Sequence, residues 1–296
     1  YKEGEGGGSG GGDDTEPAKI EVDGIYYQTD PATSTATVIS GYQAGLNETP
    51  YSGVVNVPST FTYKGKTYTV TAVGQTAFQY GTCTEVTLPS TCTSLATYAF
   101  SSMSSLTKLD LGGVNNIPGN GITNCTALKD LYLGYTGGVV GTVGASIPSA
   151  MRANINVHVA SAALKSSYSA SSFWGAVRAI LAPDQLQIGD FYYEYYPATR
   201  TAMVLAPYEI PGNGAPKQIG PAVEIPGTIT VSGTEYTVTR LQPGVFYETP
   251  NVTSVTFNEG LKEIGFETFY ASQMSELTFP TPSRPLNTTT STTARN

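Results

Sequence analysis

Residues 73–89 read VGQTAFQYGTCTEVTLP, and the same pattern returns one register further along. Ala77-Phe78, Cys83 and Val86-Thr-Leu88 are followed by Ala99-Phe100, Leu106 and Leu109-Asp-Leu111, then by Gly121-Ile122, Leu128 and Leu131-Tyr-Leu133. Position for position, the offset is 22 or 23 residues. A fixed period of this size marks a solenoid, in which each coil is one small unit that cannot bury its own apolar face.

The apolar core of each unit spells Leu-x-x-Leu-x-Leu, the pattern of leucine-rich repeats. The alternating x-Leu-x-Leu segment puts both apolar side chains on one face of a short strand. The Ala-Phe pair lies elsewhere in the coil and can fill the same core from the opposite wall. Stacked coils then give short parallel strands lining one side. After the third unit, Ile155–Val159 (INVHV) reads as a closing strand. In 161–181, Leu164, Tyr168, Trp174, Val177 and Leu181 give a helical stripe that Pro183 stops. The spacing predicts a capping helix there, with Trp174 as a cap residue.

The scheme then restarts. Ile25–Ile39 (IYYQTDPATSTATVI) matches Phe191–Leu205 (FYYEYYPATRTAMVL), Val57-Pro58 matches Ile225-Pro226, and Tyr68–Thr71 matches Tyr236–Thr239. The offset drifts only from 166 to 168 residues, so the modules are duplicated. Each opens with strand-like segments and a hairpin, at Tyr63-Lys-Gly-Lys66 and Val231-Ser-Gly-Thr234, where Gly sits between alternating β-formers. The second module continues with Val255-Thr-Phe257, Phe269 and Leu277-Thr-Phe279. The expected organisation is a flexible Gly-rich tether over 1–17, a first module over 18–183 with its terminal cap helix, a shorter second module over 184–282, and a Thr/Pro-rich tail over 283–296. Tyr1 in place of Met leads to the expectation of an upstream piece. With no second cap helix, either the second module continues beyond Asn296 or the tail covers its end. The fold class expected is mainly β with minor α: a leucine-rich-repeat solenoid in two tandem modules.

At this point the residues resemble a known family. The run Ala-Phe-x-x-Met/Cys-x-x-Leu-x-x-Leu-x-Leu at Ala99–Leu111 is similar to the BspA-like leucine-rich-repeat proteins, as is Asn124-Cys125-Thr-Ala-Leu128. Ile-Pro-Gly followed by Tyr-Thr-Val-Thr within Ile225–Thr239 resembles the way such arrays begin, and Val157-His-Val159…Leu164…Tyr168…Trp174 resembles their closing cap. The resemblance covers roughly 22–181 and 188–282. It implies a bacterial cell-surface or secreted protein, frequently an outer-membrane-anchored lipoprotein, that adheres to host matrix proteins and to other bacteria. It brings no catalytic residue. The blocks here are short, which bears against a large concave binding groove.

Composition narrows the function. The 296 residues carry a net charge of −8 with only 15 Lys plus Arg, and no basic stripe interleaved with aromatics. Nucleic acid is therefore not an expected partner, and membrane association is expected only through an upstream lipid anchor. Charged residues are 13%, about half the usual share of ~25%. Ser, Thr, Gly and Tyr carry the polarity instead, as in β-rich extracellular proteins. No apolar run reaches the ~18 residues of a membrane helix. The three cysteines, Cys83, Cys92 and Cys125, form no Cys-x-x-Cys pair and read as small buried hydrophobes, with a Cys83–Cys92 bridge left open. His158 is the one histidine. Alternation in INVHV turns it away from Ile155, Val157 and Val159, and it reads as an exposed or edge residue. No zinc-ligand spacing, Gly-x-Ser-x-Gly elbow or phosphate loop is present. Asp13-Asp14 reads as solvated tether. A carboxylate pair of the glycosidase kind is not marked by any feature. The chain is expected to be no enzyme and to need no cofactor.

Two features can bind. The outward positions of the repeat strands, Glu85, Thr87, Lys108, Asp110, Asp130 and Tyr132, should face solvent together. The cluster Tyr192, Tyr193, Tyr195 and Tyr196 offers large area at low entropy cost; alternation assigns Phe191, Tyr193 and Tyr195 to one face and Tyr192 and Tyr196 to the other, one of them core. The sequons at Asn47, Asn124, Asn251 and Asn287 carry little weight. The leading expectation is a non-enzymatic surface protein binding host matrix or bacterial surface proteins through its repeat face. A glycan-binding module using exposed tyrosines and a structural spacer are the alternatives.

Overall fold

A computed structural model describes residues 19–41, 51–207, 210–211 and 219–280. The Gly-rich stretch over 1–17, most of the tail, Asp13-Asp14, Asn47 and Asn287 lie outside them. The chain forms two compact units, one from residues up to 106 with 111–126 and 141–147, the other from 107–110, 127–140 and 148 onward.

In the first unit, the strands Ile20–Val22, Ile25–Asp30 and Thr35–Val38 run antiparallel in succession. Thr35–Val38 then pairs in parallel with Lys66–Val73, which turns back on Thr60–Tyr63. Lys64 and Gly65 hold φ of 47° and 76°, positive at both central positions as a type I′ hairpin requires. Tyr27 stacks on Phe61 at 4.2 Å and Phe61 on Tyr68 at 5.7 Å, a buried aromatic column beneath the first coil.

The coils follow. Ser52–Asn56 pairs in parallel with Thr82–Thr87. The Ala-Phe elements build a second wall: Phe78 and Phe100 are buried and stacked at 4.9 Å. Their backbones ladder from coil to coil, Phe78 N–H donating to Ala99 O at 2.9 Å and Phe100 N–H to Gly121 O at 3.0 Å. A further set of two-residue strands, Ala72-Val73 against Ser94-Leu95 and Asn116-Ile117 against Gly141-Thr142, adds a third wall that the two-wall reading of the sequence lacked. The Phe wall begins and ends in the left-handed backbone region. Thr76, Tyr98 and Asn120 hold φ of 55°, 57° and 58°, and Tyr80, Ser102 and Asn124 hold 61°, 59° and 56°. The repeat is thus a backbone repeat as well as a side-chain one. Only asparagine among these types adopts that region readily.

In the second unit, Lys108–Asp110, Asp130–Leu133, Asn156–Val159 and Ala179–Leu181 form a parallel ladder. Leu109, Leu131, Val157 and Ile180 point inward and are fully buried. The segment expected as one helix over 161–181 is broken into a 3-10 turn at Ala162–Leu164, a helix at Lys165–Ala170, a second turn at Trp174–Ala176 and the strand Ala179–Leu181. The serines explain the break. Ser171 Oγ accepts from Trp174 N–H, offering the backbone a partner outside a helix, and Gly175 follows directly. Trp174 is still a cap residue: it is buried, and its indole N–H donates to Val140 O at 2.9 Å.

The second module repeats the opening of the first. Phe191–Tyr196, Thr201–Leu205 and Thr234–Leu241 pair as their counterparts do, and the bulge between Ala202 and Met203 repeats the one between Ala36 and Thr37. Ala222–Ile225, Ser254–Phe257 and Glu276–Thr278 then form a three-stranded parallel ladder. The whole is mainly β, with parallel repeat strands and minor helix.

Candidate functional site

The ladder of the second unit brings polar and aromatic side chains into rows on its outer face. Lys108 stands beside Asp130, which stands beside Asn156; Asp110 stands beside Tyr132, which stands beside His158. Lys108 Nζ lies 5.5 Å over the Tyr132 ring, and the Tyr132 ring stacks on the His158 imidazole at 4.0 Å, nearly parallel at 6°. Asp130 Oδ1 accepts from His158 Nε2 at 2.9 Å and from Asn156 Nδ2 at 3.3 Å; the same Asn156 nitrogen donates to Gln187 Oε1 at 3.1 Å. The arrangement is rigid because each strand is fixed by its neighbours and each polar head by another head.

His158 faces away from the apolar core, as alternation implies, but it is only 4% exposed. The expectation of an exposed or edge histidine is corrected. Tyr132 covers its ring, and the outward side chains Ala179 and Leu181 of the next strand are themselves buried against Leu205 and Ile210, with Tyr192 and Met203 packed alongside. The second module's opening strands therefore cover the end of this face. With its ring stacked and one nitrogen tied to Asp130, His158 is held as a structural wedge.

Glu85 and Thr87 stand in the first unit, in register with Val54 and Asn56, and both are half-buried. Val54 beside Glu85 is 59% exposed. Lys108, Asp110, Asp130 and Tyr132 are half-buried in the second unit. The tyrosine cluster does not form a platform. Tyr193 is buried in the core of the second module, its phenol pushed up by burial. Tyr195 packs edge-on against Tyr236 at 5.1 Å and donates to Pro183 O at 3.4 Å. Tyr192 belongs to the covered cluster at Ala179 and Leu181 and meets Arg178 Nε at 3.4 Å. Tyr196 is half-buried, its phenol pushed up to about 12, first by burial and then by Glu194. The outward set Tyr192 and Tyr196, expected to stand free if Tyr193 was core, is thus packed instead.

A hollow of about 370 Å³ in the first unit is lined by Glu21, Asp23, Tyr26, Tyr51 and Asn56 among others. Among the described residues no group of three His, Cys, Asp or Glu could hold a metal ion, and no helix is long and apolar enough to cross a membrane.

Replacing Asp130 by alanine should leave the donors of His158 and Asn156 without their shared acceptor, at a cost of about 1–3 kcal/mol. Urea unfolding should show it, and Asp130→Asn should cost less. Cys83, Cys92 and Cys125 are free and buried, and burial pushes each thiol up to about 11. Native protein should therefore resist thiol reagents at pH 8 and release three equivalents in denaturant. The unfolded thiols ionise first, so their contribution to stability is complete below their ordinary pKa of 9.0 and fades as pH rises through about 11.

Exposed aromatics that the sequence reading passed over stand on the Phe walls: Tyr80, Tyr98, Tyr247, Phe266 and Tyr270. Their signal in the second module is the dipeptide Phe246-Tyr247, repeated at Phe269-Tyr270.

The profile of the BspA type leucine rich repeat region matches six copies in the chain, over residues 60–142 and 228–290, close to half its length. No curated protein sequence matches it. Among solved structures, a leucine-rich repeat protein from Bacteroides capillosus is 24% identical over 44% of this chain and 90% of its own, with a TM-score of 0.36. One from Bacteroides ovatus is 19% identical over 88% and 76%, with a TM-score of 0.33. A leucine rich cell surface protein from Faecalibacterium prausnitzii is 15% identical over 89% and 77%, with a TM-score of 0.27. The matched copies fall on the coils that stack Phe78 on Phe100 and Phe246 on Phe269, and these coils are BspA-type leucine-rich repeats.

Proposed function

We propose that the chain is a non-enzymatic interaction protein of the bacterial cell surface, adhering to host matrix proteins or to surface proteins of other bacteria. Its modules, over 18–183 and 184–282, would be held outward by an upstream lipid anchor. The observation that carries this reading is the outer ladder face. Lys108, Asp110, Asp130 and Tyr132 are fixed in adjacent rows by backbone register and by the His158 wedge. Such a surface is preorganised, so little side-chain ordering opposes binding. A glycan reading would rest on Tyr192, Tyr195 and Tyr196, which are half-buried and packed against neighbours, since Tyr193 lies in the core.

The test exposes the intact, folded chain to immobilised matrix proteins, mucins and whole bacterial cells. Saturable capture by a protein component supports the proposal. Silence across the panel, or turnover of any component, overturns it.

A further inference from the structure

The two modules differ on their Phe walls. In the second, the turn Gly244–Glu248 ladders onto the next coil: Gly244 N–H donates to Phe266 O at 3.2 Å, Phe246 to Thr268 O at 2.9 Å and Glu248 to Tyr270 O at 2.9 Å. Each Phe points in, and each following Tyr points out. Phe246 stacks on Phe269 at 5.6 Å inside, and Tyr247 stacks on Tyr270 at 5.3 Å outside, at 17°. Tyr270 is 59% exposed and the neighbouring Phe266 is 73% exposed. The tyrosine pair is flanked by a carboxylate at each end of the wall. Glu248 and Glu267 both sit at left-handed positions, with φ of 50° and 53°, and both are exposed. The Glu248 carboxylate, joined by Glu267 and Tyr270, holds the Tyr247 phenol above its usual range. Residues 219–280 carry seven glutamates against Arg240 and Lys262, and Arg240 is paired with Glu263 at 3.0 Å. The matching wall of the first module, residues 76–84 and 98–107, holds Tyr80 and Tyr98 but no charged residue.

We propose that Tyr247 and Tyr270, flanked by Glu248 and Glu267, form a docking site for a lysine- or arginine-rich segment of a partner protein. This deepens the adhesive reading and rests on it. The chemistry is that of a cation over aromatic faces, with carboxylates to receive the remaining donors. A guanidinium plane extends the tyrosine stack as a third layer. A sugar ring would find one face of each tyrosine already taken by the other, and a surface whose charge it does not need.

The experiment follows fluorescein-labelled hexa-arginine by anisotropy against the intact chain. Saturable binding is expected, weakened about tenfold by Tyr247→Ser with Tyr270→Ser, and similarly by Glu248→Gln with Glu267→Gln. Glu21→Gln with Glu235→Gln removes the same charge elsewhere and should leave binding within about twofold. All the altered side chains are exposed, so circular dichroism should show unchanged folds. The proposal is overturned if the tyrosine variant binds like the parent, if the charge-matched control weakens binding equally, or if a neutral oligosaccharide displaces the peptide. The two readings fail separately. Matrix-protein capture unaffected by the tyrosine variant refutes this site and leaves adhesion standing. Peptide binding here with a silent protein panel does the reverse.

Discussion

Gly112→Ala is expected to destabilise the fold by about 3–5 kcal/mol, combining overpacking with left-handed strain. A Cβ at Gly112 would lie 2.2 Å from Pro89 O and 2.6 Å from Leu88 O, both backbone atoms of the preceding coil, and the residue holds a φ of +53°. Neither oxygen can swing aside as a side chain could. Gly113 is as tight, its added Cβ 2.0 Å from Ser90 O. The pair is what lets one coil pass this close to the last. Gly24→Ala is the matched comparison: its φ is +77° but nothing lies within 4 Å, so only the conformational cost of about 1–2 kcal/mol remains. Urea titration of both variants reads the difference, which should amount to a midpoint shift of roughly 1 M. Equal effects would mean that the coils do not approach as described.

Trp174→Ala should cost about 3–5 kcal/mol, the second large effect. The indole is 1% exposed, packs against Tyr168 and Phe173, and supplies the donor to Val140 O. Tyr168 OH accepts from Val140 N–H at 3.0 Å, so two aromatic side chains together clamp the backbone of one residue on both sides. Tyr168→Phe keeps the ring and removes the hydroxyl that accepts from Val140 N–H and donates to Gly138 O at 3.5 Å, which should cost about 1–3 kcal/mol. Hydrogen exchange gives a local readout: the Val140 amide should lose protection in both variants, and the strand Asn156–Val159 chiefly in Trp174→Ala.

Much of this architecture was legible because its cause is periodic. Phe78, Phe100, Leu109 and Leu131 recur at the coil spacing, and each is buried where the period places it. The hairpins at Lys64-Gly65 and Ser232-Gly233 were legible because glycine is the side-chain-free answer to positive φ. The recurring turns at Thr76, Tyr98 and Glu267 were not, since no residue type there advertises a left-handed backbone; the stacked coils impose it. The cap was placed correctly but read as one helix, because apolar spacing outweighed the serines that break it. The binding face was half legible. Alternation gave the outward rows, but not what covers them: the burial of His158 and the packing of Tyr192 depend on contacts between segments far apart in sequence. The exposed Tyr247–Tyr270 pair was passed over because a Phe-Tyr dipeptide reads as core unless the turn that carries it is known.

The most direct test of the adhesive account is a side-by-side binding measurement on immobilised matrix and bacterial surface proteins, comparing the parent chain with Lys108→Glu combined with Asp110→Lys. The exchange reverses two charges of the ladder face without changing the net charge. The account predicts saturable binding by the parent and at least a tenfold loss in the variant, with unfolding midpoints alike. Equal binding by both folded proteins would contradict it.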